Sequence, residues 1–220
     1  LETLNLILSE IKRVSIEAGK EAPPVVIAVS KFQPIEKMIE VYGQGQRIFG
    51  ENYVQELATK RQMLESLGYA DLEFHFIGKL QTNKVKQVLP LVKAIHSVDS
   101  IRLLNEIEKR AQDLGVRPEV YFQVNIDEEE TKGGFLVSEL EAVSERVQAC
   151  QNVIPAGLMT IPDPSRNVEG AFSRMQGLSN RFGSVLGRGL SMGMSGDYLS
   201  AIRHGATIVR IGSAFFGKRE

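Results

Sequence analysis

The sequence has one cysteine, Cys150, and no tryptophan among its 220 residues. A lone thiol makes no internal bridge, which excludes a disulfide-held scaffold and is the usage expected of a protein kept in reduced cytosol. Only three histidines occur, His75, His96 and His204, and they share no metal-ligand spacing, so no zinc site is expected. An excess of one charge is also missing. The 26 Lys plus Arg nearly cancel the 27 Asp plus Glu without a long block of either sign, leaving no footprint for nucleic acid or an anionic membrane. No apolar run approaches the roughly 20 residues that cross a bilayer. The opening LETLNLILSEIKRVSIEAG lacks the basic-then-apolar order of a signal peptide, and its helical apolar spacing predicts an amphipathic helix over about 1–19. No low-complexity linker divides the chain, so one domain over 1–220 is expected, with a small molecule as its partner.

What is present is a repeat of short β-rich runs: 25–30, 47–51, 73–78, 94–98, 120–125, 154–159, 190–194 and 207–212. Between them lie stretches with apolar residues three and four apart, such as IEKMIEVYG and SIRLLNEIEKRAQDLG. Several runs are almost wholly apolar, as a parallel sheet covered on both faces requires, and Gly68, Gly115 and Gly205 stand where helices would close. Eight alternations predict a (β/α)8 TIM-type barrel over about 25–217. An open doubly wound sheet is the competing architecture, although no G-x-G-x-x-G follows the first strand.

In such a barrel, chemistry sits at the C-terminal ends of the strands. Lys31 ends VVIAVSK there. Taken alone it reads as a lysine snorkelling to solvent; the competing reading is a nucleophilic amine whose charged form a low-dielectric mouth disfavours. Ser195, Gly196 and Asp197 stand where the seventh strand meets a helix, and Gly212 and Ser213 repeat the pattern one strand later. Together they offer hydroxyls and backbone N–H groups to an anion, with ordinary capping and a tight turn as the alternative. Arg210 would share a face with Gly212, and on an inward face its charge needs an acceptor, either a carboxylate or a ring nitrogen. The stretch 161–167 is a long loop on the same rim. Plainer roles are expected elsewhere: structural histidines, a solvated loop over Asp127 to Glu130, a buried Cys150, and Asp99 capping the helix that begins near Ser100.

Seven ordered segments carry a resemblance. AVSK (28–31), FGENYVQE (49–56), HFIGKLQTNK (75–84), HSVDS (96–100), QVN with TKGGF (123–125, 131–135), GLMTI (157–161) and LSMGMSGDYLSAIRHGATIVRIGSAFFG (190–217) resemble the YggS/PROSC family of pyridoxal 5'-phosphate (PLP) homeostasis proteins. Phe74 stands where the family often has Trp, Lys79 where it often has His, and Ser213 where Thr is more frequent.

The resemblance implies a fold-type III barrel similar to the N-terminal domain of alanine racemase, with PLP as cofactor. Lys31 matches the Schiff-base lysine, and Ser195, Gly212 and Ser213 the phosphate-binding positions. Arg210 matches the residue facing the pyridine nitrogen, while Asn52 and Met194 match positions lining the cofactor. An arginine donates to that nitrogen and leaves it unprotonated, which weakens the ring as an electron sink. The implied function is PLP binding in intracellular PLP homeostasis without robust catalysis, by a cytoplasmic monomer, with apo PLP-dependent enzymes as recipients. Because the sequence ends shortly after the last motif, the second domain of a racemase is not expected. The alternatives are an amino-acid racemase using Lys31 as its acid-base group, and a Schiff-base aldolase gripping a substrate phosphate.

Overall fold

The computed structural model describes residues 2–217. Eight strands form where the apolar runs predict them: β1 (Val25–Val29), β2 (Ile48–Glu51), β3 (Glu73–Phe76), β4 (Ala94–Val98), β5 (Glu119–Gln123), β6 (Ile154–Met159), β7 (Gly189–Ser191) and β8 (Ile208–Ile211). All pairings are parallel, and the sheet closes because β1 pairs with β8, Val25 opposite Ile208 through Ala28 opposite Ile211. This is the closed barrel, and the open-sheet alternative is set aside.

Helices return the chain between strands: α2 (Ile35–Gly43), α3 (Val54–Ser66), α4 (Val85–Val88), α5 (Ile101–Leu114), α6 (Leu140–Gln148), α7 (Val168–Leu186) and α8 (Tyr198–Arg203), with the short α9 (Ser213–Phe216) after β8. The N-terminal α1 (Glu2–Glu17) buries Leu4, Ile7, Ile11 and Val14, spaced three or four apart, and packs on α8 and α9. Gly68, Gly115 and Gly205 all take positive φ at helix ends, as expected. Asp99 does not cap α5. Ser100 does so, its hydroxyl accepting from the N–H of Leu103, because the N-cap position falls one residue later.

Alternation along each strand divides the core in two. Outward residues such as Val26, Phe49, Phe74, Phe122 and Leu158 pack under the helices. The inward set is smaller, with Ile27, Ala94, Tyr121, Met159 and Ile208 as its apolar part. Fully buried Phe49, Phe74, Phe76, Phe122 and Phe172 anchor the outer layer, each contributing roughly 1.5–3 kcal/mol by leaving water. Gly157 lets β6 and β7 meet: its φ is +154°, and a Cβ there would lie 2.0 Å from the Gly189 carbonyl oxygen. At Gly189 the missing side chain makes room for Tyr121, a ring carbon of which would lie 2.9 Å from a Cβ there.

Candidate functional site

The expected site residues gather at the C-terminal ends of four consecutive strands around the closed barrel, β7, β8, β1 and β2. Met194 and Ser195 follow β7, Gly212 and Ser213 follow β8, Lys31 follows β1 and Asn52 follows β2. Arg210 lies within β8, pairs in register with Ile27 of β1, and is 4% exposed.

Ser195 does not cap α8. Its Oγ accepts from the N–H of Gly212 at 3.4 Å, tying the loop after β7 to the loop after β8. Asp197 turns back on the same loop and accepts from the N–H of Met194 at 2.6 Å. Among the described residues, the N–H groups of Ser195, Gly196, Ser213 and Ala214 meet no acceptor. Four backbone donors and two hydroxyls are therefore available to an anion. Met194, Ser195 and Tyr198 share a cavity of about 660 Å³ with Pro164, which brings the 161–167 loop to the rim where the sequence places it.

Arg210 points inward and has no carboxylate in contact among the described residues. Its Nη1 donates to the carbonyl oxygen and to Oγ of Ser191, both at 2.7 Å, and its Nη2 to the carbonyl oxygen of Thr160 at 3.0 Å. Burial pulls the guanidinium down to about 10, opposed by the negative charge of Asp197, and it stays charged at neutral pH. All three of its acceptors are neutral, so a ligand could supply a further acceptor, neutral or anionic.

The turn bearing Lys31 is held from both sides by a buried ionic group that sequence reasoning missed. Lys60 of α3 is 6% exposed and donates to Glu51 Oε1 at 2.8 Å, Glu56 Oε1 at 2.6 Å and the Ser30 carbonyl oxygen at 2.6 Å. Ser30 Oγ donates to Glu51 at 2.6 Å, and the N–H of Phe32 donates to Glu56. Lys31 is half-buried, and Phe32 adopts φ +62°, a left-handed conformation that costs a non-glycine residue of order 1–3 kcal/mol. Glu51 and Glu56 lie inside the quoted FGENYVQE, and Lys60 stands four residues after Glu56, one helical turn on; that spacing was the available signal.

Asn52 lies against Gly78, where a Cβ would stand 2.1 Å from the Asn52 carbonyl oxygen. Its side-chain Oδ1 is buried and has no partner among the described residues, an orphan that a bound ligand would relieve. Asp127 is not solvated as expected of its run. Its side chain is 6% exposed, pairs with Arg174 at 3.0 Å and accepts from the N–H of Asp163 at 2.8 Å, fastening the loop after β5 to the loop after β6. Cys150 is half-buried rather than buried, with its sulfur 3.3 Å from Arg146 Nη1. His75 and His96 face one another inside the barrel, with Nδ1 and Nε2 2.8 Å apart.

The sequence profile of the alanine racemase N-terminal domain matches residues 8–220. A pyridoxal phosphate homeostasis protein of Aquifex aeolicus is 41% identical over 226 residues, covering 100% of this chain and 98% of that protein. The Mus musculus protein of the same name is 40% identical over 212 residues, covering 90% of this chain and 77% of its own length. The chain belongs to the pyridoxal phosphate homeostasis protein family. Among solved structures of the family, PipY of Synechococcus elongatus with PLP bound superposes with a TM-score of 0.81 at 33% identity, over 94% of this chain and all of PipY. Alanine racemase of Clostridium difficile superposes with a TM-score of 0.73 at 15% identity, over the whole of this chain and 60% of the racemase, a likeness of fold alone.

Proposed function

We propose that the protein binds PLP covalently through Lys31 and serves intracellular PLP homeostasis without robust turnover. The observation that carries this is Arg210: a buried guanidinium bonded to neutral acceptors, at the same end of the barrel as a strand-end lysine and an unsatisfied group of anion donors. PLP offers a matching set of partners. Its aldehyde would meet the Lys31 amine, its ring nitrogen the Arg210 guanidinium, and its phosphate the hydroxyls and free N–H groups around Ser195, Gly212 and Ser213. Asn52 and Met194 would line the remainder.

When bound, PLP supplies an electrophilic carbon conjugated to an electron-withdrawing ring. The chain's residues tune that ring toward storage. Arg210 cannot give up a proton at physiological pH, so it donates to the ring nitrogen and holds back the protonation that would strengthen electron withdrawal. Lys31 keeps the cofactor by a reversible bond and returns it when the bond hydrolyses. Release would supply apo PLP-dependent enzymes in the cytoplasm; the homeostasis name of the relatives supports the storage role.

The deciding experiment is borohydride reduction of PLP-loaded protein followed by peptide mapping. Label on Lys31, lost in Lys31→Ala, is expected; label elsewhere, or none, would overturn the assignment. Incubation with L-alanine separates storage from racemisation, since steady formation of D-alanine would contradict the homeostatic reading. Arg210→Glu should permit protonation of the ring nitrogen, altering the visible spectrum and releasing transamination.

A further inference from the structure

A line of buried side chains leaves Arg210 on the side away from the mouth and crosses the barrel interior. Arg210 Nη1 donates to Ser191 Oγ at 2.7 Å. Ser191 Oγ lies 2.8 Å from His96 Nδ1, His96 Nε2 lies 2.8 Å from His75 Nδ1, and His75 Nε2 lies 2.9 Å from Glu73 Oε1. These five residues come from β8, β7, β4 and β3, and the line ends at the first residue of β3, at the opposite end of the barrel from Lys31. There Glu73 is partly exposed, with Lys93 Nζ 3.3 Å from its second oxygen and Glu119 Oε1 4.0 Å from the same ammonium.

The positions of the hydrogens follow from counting donors. A serine hydroxyl has one hydrogen to give. Ser191 Oγ accepts from Arg210, and among these side chains the acceptor within reach of its one hydrogen is His96 Nδ1. His96 then carries its ring hydrogen on Nε2 and gives it to His75 Nδ1. His75 in turn carries its hydrogen on Nε2 and gives it to Glu73. Every bond runs the same way, from guanidinium to carboxylate. The reverse polarity needs either a doubly protonated His75 or a protonated Glu73, whose carboxyl is held below its usual value, and leaves the Ser191 hydrogen without an acceptor among these side chains. The surroundings favour the first arrangement. His96 is fully buried and stacks on Tyr121 at 4.4 Å and 11° between planes. Burial first, then repulsion from any charge on His75 and from the Arg210 guanidinium, holds its imidazole well below the usual value.

We propose that Ser191, His96, His75 and Glu73 form a one-way hydrogen-bond relay that positions the Arg210 guanidinium and couples it to a carboxylate at the far end of the barrel. It rests on the assignment of Arg210 to the ring nitrogen of PLP. The four are positioning residues, since none of them is placed against the cofactor. Their effect is electrostatic and geometric: aligned dipoles polarise one another, so Glu73 compensates a buried cation that no carboxylate touches directly. The state of the ring nitrogen is thereby governed from both ends of the barrel.

Nitrogen-15 NMR of the PLP-free full chain should find both His75 and His96 with hydrogen on Nε2; hydrogen on His96 Nδ1, or a doubly protonated His75, would overturn the relay. Ser191→Ala and His96→Leu should shift the visible spectrum of bound PLP and weaken PLP binding by about ten-fold, the loss of one charge-assisted hydrogen bond. Glu73→Gln keeps an acceptor for His75 and removes only the charge. It should move the pH midpoint of the visible spectrum of bound PLP, a readout that a loss of fold stability alone would not shift. Should His96→Leu fail to fold, the other two variants carry the test. Wild-type protein that traps no PLP on Lys31 would overturn the cofactor assignment; wild type that traps it, with Ser191→Ala and Glu73→Gln indistinguishable from it, would overturn the relay alone.

Discussion

Lys60 Nζ donates to the carbonyl oxygen of Ser30 at 2.6 Å, one residue before Lys31. A helix residue thus fixes the backbone of the lysine proposed to carry the cofactor. The same ammonium holds two carboxylates, and Glu51 is fully buried.

Lys60→Met should therefore be costly, by about 3–5 kcal/mol in denaturant unfolding, because it strands buried negative charge. Burial already pushes the Glu51 carboxyl up against the pull of Lys60, and without the lysine it rises further. A raised carboxyl pKa favours the folded state below the unfolded value, and that advantage is lost as pH rises through the folded value. The deficit of the variant should accordingly be smallest in acid and widen toward neutrality. A deficit independent of pH would show that Glu51 is not the group left uncompensated.

Gly78→Ala should disturb the cofactor end more than its size suggests. The new methyl would meet the Asn52 carbonyl oxygen at 2.1 Å, a backbone atom that has to move. Overpacking of this kind costs typically 1–3 kcal/mol. Lower thermal stability accompanied by weaker PLP binding is expected, whereas unchanged binding would separate Asn52 from the site.

Glu73 supplies an acid-side prediction. Its hydrogen bond from His75, followed by Lys93, holds the carboxyl below the usual value even though burial opposes it. Its contribution is present above the unfolded carboxylate value and lost as pH falls through the depressed folded one. Glu73→Gln should flatten the decline of stability in that acid window, measured by thermal unfolding of the PLP-free protein between neutrality and the acid limb.

Asp127→Ala should loosen the rim without unfolding the barrel. The aspartate accepts from Asp163 N–H and pairs with Arg174, and hydrogen bonds to charged groups contribute about 1.5–3 kcal/mol each. Faster hydrogen exchange over 161–167, with exchange in β1 and β8 unchanged, is expected.

The barrel was legible because each strand is an apolar run of the right length and each return segment keeps helical spacing. The arc of Lys31, Ser195 and Gly212 followed from strand order, since the position after each run is also the end of a strand, whereas Asn52 came with the family resemblance. What stayed hidden depends on closure. His75, His96, Ser191 and Arg210 are scattered over 136 positions, and only a closed barrel brings them into one line. Likewise Glu51 sits in a motif that marks it as special, but its partner Lys60 looks like any helix-surface lysine until α3 is laid on β2. The misplaced cap at Asp99 shows a smaller limit: adjacent Asp and Ser compete for one N-cap, and a single-residue difference in helix start decides between them.

Phe32 follows Lys31 in a left-handed conformation, and its exposed ring leans on that of Tyr53, 5.0 Å between centroids. For a reservoir, speed of discharge counts as much as grip. A turn wound against its own preference behaves like a set latch: the ionic group around Ser30 and Phe32 keeps it cocked, and yielding there lowers the work of letting the cofactor go. Replacing Phe32 by glycine would remove that tension, and a cofactor held on Lys31 as proposed would then leave more slowly at equal capacity.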